Sequence, residues 1–596
     1  MKKIINNIAI ISICILLISA NIIVGTPFIE NTRIITITAI SIFVVYMIVY
    51  KIMLKNKYID IIKKINMLDI CVIILCLCPW IPIILKTAVN VEESTNIAIR
   101  YLTVLILYIT SKILFNQEKK YIKYITNTTI FLGIFSTFLG IENLVHEKIS
   151  LLLYELGVPL MINSGKRMFG NIGYANTFAL SVFVPLILST HKFVKKGNYF
   201  YTAINFLFIS GILLSYSKAM YMLLILWIVV YSILLKEKHD ITKFLIHVGV
   251  TGILAIVYSK VFNHYFQREM ALQIWLALII FMVLAVAINK ILNNIIEKRE
   301  VKLKVSIACF IITVVLIIGI GLIIKVPLII FETTTKWDYV EYIISEIEPN
   351  TEYKFEFEIE SESLYNDEIY MIQIQEESNQ LAVIEQHNIK VGTYSGKKYI
   401  EVKTDAKTDQ VRVIFRSKGI EQQKGLKIKS FKINGEEYIL NYLYLPNRII
   451  NLLRNFSGKS LSVTDRATFY KDAFKLIQRN PWTGIGGKGW IYTYQEVRSF
   501  TYFTMEVHSY PIQIYLEFGI GAIIAYVVMI GLVLEQFLKS SKDMIPVYLS
   551  LGLIVLHSVI DFDLSYMNIL IYTFLLFSMV SSDFAQNTGK IEEKNK

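Results

Sequence analysis

Long apolar stretches recur along almost the whole chain, and short connectors rich in lysine and arginine separate them. A bilayer core of about 30 Å is crossed by roughly 20 consecutive apolar residues in a helix, and about fourteen windows of this sequence meet that requirement. They lie near residues 4–25, 34–54, 67–86, 97–115, 121–141, 173–190, 198–215, 218–235, 242–262, 271–292, 304–330, 510–537, 543–562 and 564–582. The sequence therefore predicts a polytopic α-helical membrane protein.

The composition supports this prediction. Hydrophobic residues make up 55% of the 596 residues and the mean hydropathy is +0.53, which is too apolar for a water-soluble enzyme. The net charge of +13 lies in short runs between apolar stretches and not in basic stripes interleaved with aromatics, so we expect no nucleic-acid partner. The five cysteines lie in apolar runs without the spacing of a zinc site or a disulfide framework. We expect no metal and no cofactor.

The loop charges predict the orientation, because lysine and arginine concentrate on cytoplasmic loops. Basic clusters occupy alternate connectors and the tail, at residues 51–64, 119–120, 192–196, 236–243, 290–304, 539–542 and 590–596. Both termini are therefore expected in the cytoplasm. The first apolar run follows two lysines, as in a signal peptide, but no small-residue cleavage motif ends it. We interpret it as an uncleaved first helix.

Three outer segments, 142–172, 263–270 and 331–509, are longer than a connection between helices requires, and surplus loop often carries function. Residues 331–460 hold 17 basic and 21 acidic residues, unlike the basic remainder of the chain. Strand-like runs, several of them alternating apolar and polar residues, lie at 353–360, 369–374, 399–402, 411–415 and 426–433. They predict a small antiparallel β-sandwich.

From about residue 447 the pattern becomes helical, at 449–456 and at 464–479, until Asn480-Pro481 ends it. The predicted domains are a first membrane part at 1–330, a β-sandwich at 331–446, a helical segment with a glycine-rich loop at 447–509, the last three membrane helices at 510–582 and a cytoplasmic tail at 583–596.

Polar motifs cluster at the predicted outer face, where charged groups near membrane helices are often functional. They lie at 166–176, 215–218, 465–490, 508–521 and 557–563. In the third motif Arg466 leads a helix that ends at Asn480-Pro481 and is followed by Gly484-Ile-Gly486-Gly487. The fourth motif begins at His508 and continues through Gln513 and Glu517 to Gly519 and Gly521.

These residues resemble the O-antigen ligase-related family of bacterial polytopic membrane glycosyltransferases, which includes O-antigen ligases, O-antigen polymerases and protein O-oligosaccharyltransferases. The resemblance is strongest over 465–521, weaker over 167–176 and 217–218, and agrees with 557–563. It does not cover 331–460. Family members usually have His-Asn where this chain has His508-Ser509, and Ser-Arg where it has Ser217-Lys218. The second difference keeps the charge and loses the bidentate fork of arginine.

The resemblance implies transfer of a glycan from an undecaprenyl diphosphate carrier to a glycan, a lipid or a protein, with inversion and without a metal. Arginine suits a diphosphate leaving group, and Arg167 and Arg466 are the candidates, with Lys218 as a helper. A histidine suits the removal of the acceptor proton, and His508 is the candidate base. Further substrate-binding candidates are Asn171, Asn176, Gly484, Gly486, Gly487, Gln513, Glu517, His557 and Asp561.

Several residues also have structural interpretations. His557 is expected to be structural, with Asp561 as a candidate partner, and Glu517 to orient its neighbours. Tyr353, Phe355 and Phe357 alternate at strand spacing, which favours a core position over a sugar-binding platform.

The expected location is the cytoplasmic, or inner, membrane of a bacterium, with the lipid bilayer as a partner and the active site on the extracytoplasmic side. The main alternative function is a repeat-unit polysaccharide polymerase of the same family. A lipid-linked oligosaccharide flippase is a second alternative, although it should show charges deep in a cavity and an internal repeat. A sensor would need a cytoplasmic output domain, for which the cytoplasmic loops are too short.

Overall fold

The helices of the chain follow its apolar windows closely. The computed structural model describes residues 2–23, 32–52, 65–146, 148, 152, 167–266, 268, 270–299, 328–330, 338–344, 347–361, 370–377, 383–408, 410–417, 426–437, 461–499 and 502–594. The helices before the β-domain are α1 Lys2–Ile23, α2 Thr32–Ile52, α3 Met67–Leu77, α4 Ile81–Ile84, α5 Val91–Gln117, α6 Lys120–Val145, α7 Ala175–Lys196, α8 Phe200–Ser215, α9 Lys218–Leu234, α10 Lys238–Phe266 and α11 Ala271–Arg299. Those after it are α12 Leu461–Ile477, α13 Gly489–Val497, α14 Tyr510–Phe518, α15 Ile520–Lys539, α16 Ile545–Ser558 and α17 Met567–Lys594.

Within the described residues, 9 helical segments are long and apolar enough to cross a membrane. They are Lys3–Ile22, Met67–Ile84, Val91–Gln117, Lys120–Val145, Ala175–Lys196, Lys238–Phe266, Ala271–Ile295, Ile520–Lys539 and Met567–Phe584. Shorter apolar helices are Ile34–Ile48, Phe200–Ser215 and Lys218–Leu234. The mostly helical membrane architecture is confirmed, while the count of fourteen spans and the orientation of the termini stay predictions.

The predicted window 304–330 differs from the structure at its end. Most of 304–330 lies outside the described residues, but its end, Leu328–Ile330, is a β-strand. A short apolar run has no periodicity that separates a strand from a helix, which explains the error. The predicted helix 449–456 also lies outside the described residues.

The predicted window 510–537 is divided at Gly519. Gly519 has φ 78° and ψ −173°, a conformation that glycine adopts readily. A Cβ at this position would lie 2.2 Å from the carbonyl oxygen of Trp482. The amide of Ile520 donates to the carbonyl of Pro481 at 3.1 Å. The short helix α14 therefore precedes the membrane span Ile520–Lys539 instead of forming part of it.

The helical body has a buried centre and an apolar exterior. In Met567–Phe584, 94% of the apolar window is buried, against 22% in Ala271–Ile295. Exposed side chains such as Ile225, Ile233 and Val283 are apolar, as expected of a surface that faces lipid tails.

The predicted β-domain is a sandwich of two antiparallel sheets. Its strands are β1 Leu328–Ile330, β2 Asp338–Ile344, β3 Glu352–Ser361, β4 Tyr370–Glu377, β5 Val383–Val391, β6 Tyr394–Lys403, β7 Gln410–Ser417, β8 Leu426–Ile433 and β9 Glu436–Glu437. One sheet has the order β1-β8-β3-β6 with β9 beside β8, and the other has the order β2-β7-β4-β5. Each of the five predicted strand-like runs falls on one of these strands.

Aromatic side chains fill the core of the sandwich. Phe355 and Phe357 are completely buried, which confirms the core interpretation for these two residues. Tyr353 is partly buried and packs against the same core. The rings of Phe357 and Phe431 stack with their centroids 4.9 Å apart.

Candidate functional site

A buried carboxylate, Asp561, is the centre of the candidate site. It lies in the turn that follows α16, and its side chain has no exposed surface. Arg466 Nη2 lies 3.2 Å from Oδ2, and His508 Nδ1 lies 3.3 Å from Oδ1. Asn176 donates its amide N–H to Oδ2 at 2.8 Å. Three residues that are far apart in the sequence thus meet at the carboxylate of Asp561.

Further donors keep Asp561 ionised. The hydroxyl of Tyr174 lies 3.2 Å from Oδ2, and the amide of Phe562 donates to Oδ1 at 3.0 Å. Burial alone would raise the pKa of Asp561, but the hydrogen bond with His508 and the charge of Arg466 lower it to about 2. Burial and the neighbouring Asp561 raise the pKa of Tyr174, so its phenol stays protonated and can donate.

The backbone holds His508 in an unusual conformation. Its φ is 61°, in the left-handed region that residues with a side chain seldom adopt. The hydroxyl of Tyr470 donates to the His508 carbonyl at 2.9 Å, and the ring packs edge-on against Phe562 with centroids 4.7 Å apart. The imidazole remains 21% exposed. Nδ1 is the ring nitrogen that meets Asp561. The role of His508 as a base stays a prediction.

Arg167 joins the same cluster through Asn176. Its Nη2 donates to Asn176 Oδ1 at 2.9 Å, and its Nε donates to the carbonyl of Ser215 at 2.9 Å. Asn176 lies in the first turn of α7, and Ser215 is the last residue of α8. Arg466, on α12, is 18% exposed at its side chain. The structure therefore brings together Arg167, Arg466, His508, Asn176 and Asp561.

Lys218 lies close in sequence to this cluster. It is the first residue of α9, three positions after Ser215, and it is exposed. Between them, Tyr216 has φ 53°, in the left-handed region, and caps the C-terminus of α8. The role of Lys218 as a helper stays a prediction.

The glycine-rich loop packs closely against the protein's own backbone. Gly484 has φ 73°, and a Cβ there would lie 2.5 Å from the carbonyl oxygen of Glu517. A Cβ on Gly486 would lie 2.3 Å from Ser94 Oγ, and one on Gly487 would lie 2.6 Å from Ile97 Cβ. These contacts explain why the loop needs glycine. Contact of the same loop with phosphate or sugar stays a prediction.

Gln513 and Glu517 form a buried hydrogen-bonded group. Gln513 accepts from the amide of Val507 at 2.9 Å and donates to Glu517. Glu517 also accepts from the amide of Lys488 at 2.9 Å. Burial and the charge of Glu506 raise the pKa of Glu517 to about 8. In these contacts Glu517 orients neighbouring segments, as its structural interpretation predicts.

Two candidates have partners outside the Asp561 cluster. Asn171 is buried, accepts from Ser136 Oγ at 2.9 Å and donates to the carbonyl of Asn21. His557 is completely buried.

The expected pairing of His557 with Asp561 is wrong. His557 Nδ1 lies 2.5 Å from Asp563 Oδ2, and Thr177 donates to the other Asp563 oxygen at 2.7 Å. Sequence spacing alone does not distinguish two aspartates in one turn, and the turn directs Asp561 to His508 instead.

Three charged residues near the site have no role predicted from the sequence. Arg100, Lys488 and Glu506 are largely buried, and Lys488 forms an ion pair with Glu506. Arg100 lies inside a predicted membrane window, and a charge in such a window is the signal that identifies a functional or structural polar site.

The β-sandwich holds a group of metal-ligand type. Potential ligand atoms of Glu376, Glu385 and His387 lie within 4.8 Å of one another. Glu376 Oε1 lies 3.2 Å from His387 Nε2, while Oε2 accepts from Thr408 at 2.8 Å. These hydrogen bonds satisfy the buried carboxylate within the protein.

The comparisons with known proteins agree with the motif. A sequence model described as O-antigen ligase matches residues 431–527, which include Arg466, the glycine-rich loop and His508. No curated protein and no solved structure matches the chain. Through residues 431–527, this multi-pass membrane protein is related to the O-antigen ligase family.

Proposed function

We propose that this protein is a membrane glycosyltransferase that moves an undecaprenyl-diphosphate-linked glycan onto an acceptor at the outer face of the cytoplasmic membrane. The observation that carries the proposal is the convergence of Arg466, His508 and Asn176 on the buried Asp561, with Arg167 bound to Asn176. Two cations suit a diphosphate leaving group, and a histidine beside a carboxylate suits removal of the acceptor proton.

Arg466 and Arg167 contact the diphosphate. Their guanidinium groups are planar, remain charged and donate several N–H bonds in a fixed geometry, which suits phosphate oxygens. Arg466 donates to Asp561, and Arg167 donates to Asn176 and Ser215, so both guanidinium groups are held in place. Their positive charges stabilise the oxygens on which negative charge increases as the leaving group departs.

His508 acts as the general base. Asp561 accepts from Nδ1 and so keeps the proton on that nitrogen, which leaves the lone pair of Nε2 free. The acceptor hydroxyl gives its proton to Nε2 while its oxygen bonds to the anomeric carbon of the donor sugar. The bond from that carbon to the diphosphate oxygen breaks, and undecaprenyl diphosphate leaves with both electrons. Attack opposite the leaving group inverts the anomeric centre.

Asp561 stabilises the protonated form of His508. The imidazolium that forms during transfer lies 3.3 Å from a carboxylate oxygen whose pKa of about 2 keeps it charged. A fixed negative charge beside the base therefore favours proton transfer without exchanging a proton itself.

The donor is a lipid-linked oligo- or polysaccharide, and the acceptor is a glycan, a lipid or a protein of a bacterial cell envelope. If the acceptor is a second lipid-linked glycan, the same residues carry out repeat-unit polymerisation. The product size distinguishes the two reactions, since a polymerase makes a ladder and a ligase transfers a single block.

The experiment compares purified wild-type protein with His508→Ala, using undecaprenyl-diphosphate-linked glycan and extracted envelope acceptors. Release of undecaprenyl diphosphate and the size of the glycan product are measured. Release by the wild type alone supports the proposal. Equal release by both proteins contradicts the role of His508. Translocation of lipid-linked glycan across vesicles, without release of the carrier, would favour the flippase.

A further inference from the structure

Four ionisable side chains, all largely buried, lie together at one small cavity beside the loop that precedes His508. Arg100, Lys488, Glu506 and Glu517 line this cavity. The hydroxyls of Tyr101 and Tyr510, which also line it, lie 2.8 Å apart. Buried charges are unfavourable unless they are paired, so this group has a specific arrangement to maintain.

Lys488 and Glu506 form the central ion pair. Lys488 Nζ donates to Glu506 Oε1, and their side chains are only 17% and 4% exposed. Glu506 precedes His508 by two residues in a segment without helix or strand. The ion pair therefore fixes the chain immediately before the candidate base.

The backbone of Lys488 is fixed as well. Lys488 has φ 60° and precedes the first turn of α13. Its amide donates to Glu517 Oε1 at 2.9 Å, and Glu517 belongs to α14. The side chain of Lys488 bonds to Glu506 in the His508 loop, while its backbone joins α13 and bonds to α14. Lys488 thus connects the loop to these two helices.

Other hydrogen bonds also hold this loop in place. Thr504 Oγ1 donates to the Glu506 carbonyl at 2.7 Å, and the amide of Val507 donates to Gln513 at 2.9 Å. Together with the Tyr470 bond to its carbonyl, these contacts hold His508 in its left-handed conformation.

Arg100 links the cavity to the turn of Asp561. Its Nη2 donates to the carbonyl of Ser565 at 2.6 Å. Its Nε is buried and has no hydrogen-bond partner among the described residues. The guanidinium attracts both Glu506 and Glu517. Arg100 therefore contacts the segment that follows Asp561, and it also attracts Glu506, which precedes His508.

We propose that Lys488 and Glu506 are positioning residues: their buried ion pair holds the loop so that His508 Nδ1 meets Asp561. This inference rests on the proposed transferase function. Because the two side chains are largely buried and bond to each other, loss of the pair should lower kcat and leave binding of the lipid-linked donor almost unchanged.

The test uses the full-length protein with Lys488→Met and Glu506→Gln. We expect kcat to fall about 10- to 100-fold, because small displacements of a reacting group have effects of that size. The KM for the donor should change by less than about twofold, and amide hydrogen exchange at 502–509 should become about tenfold faster. Arg479→Met is the matched control, since its ion pair with Glu496 lies on the same segment but is 52% and 57% exposed. Arg479→Met should leave kcat, the KM for the donor and the exchange rate at 502–509 unchanged.

The double variant Lys488→Glu with Glu506→Lys swaps the two charges. It should recover part of the kcat and of the hydrogen-exchange protection that the single variants lose. Glu506→Gln keeps the shape of the side chain and serves where Lys488→Met does not fold, as judged by size-exclusion chromatography. Unchanged kcat in both single variants overturns the inference, as does equal loss in Arg479→Met. If the wild type transfers no glycan, the transferase proposal fails, while exchange at 502–509 still decides whether the pair holds the loop.

Discussion

His508 Nδ1 lies 3.3 Å from Asp561 Oδ1, although 53 residues separate the two in the sequence. The histidine comes from an irregular loop and the aspartate from the turn after α16. Their contact distinguishes the two ring nitrogens, because Nδ1 is the one that meets the carboxylate. In the proposed mechanism Nε2 accepts the proton of the acceptor.

His508→Ala should abolish glycan transfer and leave donor binding nearly intact. Loss of a general base costs about 10²- to 10⁴-fold in rate. Product formation and the Kd for undecaprenyl-diphosphate-linked glycan are measured on the same preparation. A variant with normal turnover would remove His508 from the mechanism.

Arg466→Ala should weaken donor binding as well as turnover. A hydrogen bond to a charged group contributes about 2 kcal/mol, which is about 30-fold in Kd. Arg466→Lys should retain part of the affinity, since it keeps the charge and loses the fork. Arg479→Ala is the control, because Arg479 is a similar cation on the same segment whose ion pair is exposed. Equal effects of both alanine variants would contradict a specific diphosphate contact.

Asp561→Asn should separate binding from catalysis. The amide has the shape of the carboxylate but cannot stabilise the imidazolium, so kcat should fall about 10²- to 10⁴-fold. Arg466 loses its counter-charge and becomes free to bind phosphate, so donor affinity should stay constant or increase. Kd and kcat are measured separately. Weaker donor binding with unchanged kcat would be inconsistent with this arrangement.

Glu517→Gln should reduce the pH dependence of stability. The pKa of Glu517 is raised from 4.5 to about 8, so between these values the folded state holds a proton that the unfolded state releases. Its stabilising contribution is complete below pH 4.5 and is lost as the pH rises to about 8. The Tm of the wild type should therefore decline across this range more steeply than that of the variant. Parallel Tm curves would show that Glu517 does not titrate there.

Gly519→Ala should destabilise the break between α14 and α15. Alanine is unfavourable here because φ is 78° and because its Cβ would lie 2.2 Å from the carbonyl oxygen of Trp482. We expect a loss of at least about 2 kcal/mol, seen as a lower Tm in detergent. Gly531→Ala is the matched control, because a Cβ there meets nothing within 4 Å and the position is helical. That change should be neutral or stabilising.

The helices and strands could be predicted from the sequence because they depend on local residue patterns. Apolar windows placed the helices, and alternation placed strands such as Glu352–Ser361 and Leu426–Ile433. Family spacing identified Arg466 and His508, and the structure places both at one carboxylate.

The remaining features depend on distant contacts. Whether Asp561 or Asp563 meets His557 is decided by the geometry of one turn, which spacing does not encode. The interruption at Gly519 arises from the Trp482 backbone and not from the apolar run around it. The Lys488–Glu506 pair joins two loops whose proximity no periodicity indicates.

The order of the cluster along the chain has a consequence for biosynthesis. Arg167, Arg466 and His508 all precede Asp561 in the sequence, so they are synthesised before it. A nascent polypeptide therefore contains the three basic side chains before it contains the carboxylate that they meet, Arg167 through Asn176, in the folded protein. The cluster can close only after α16 and the turn that follows it have been synthesised.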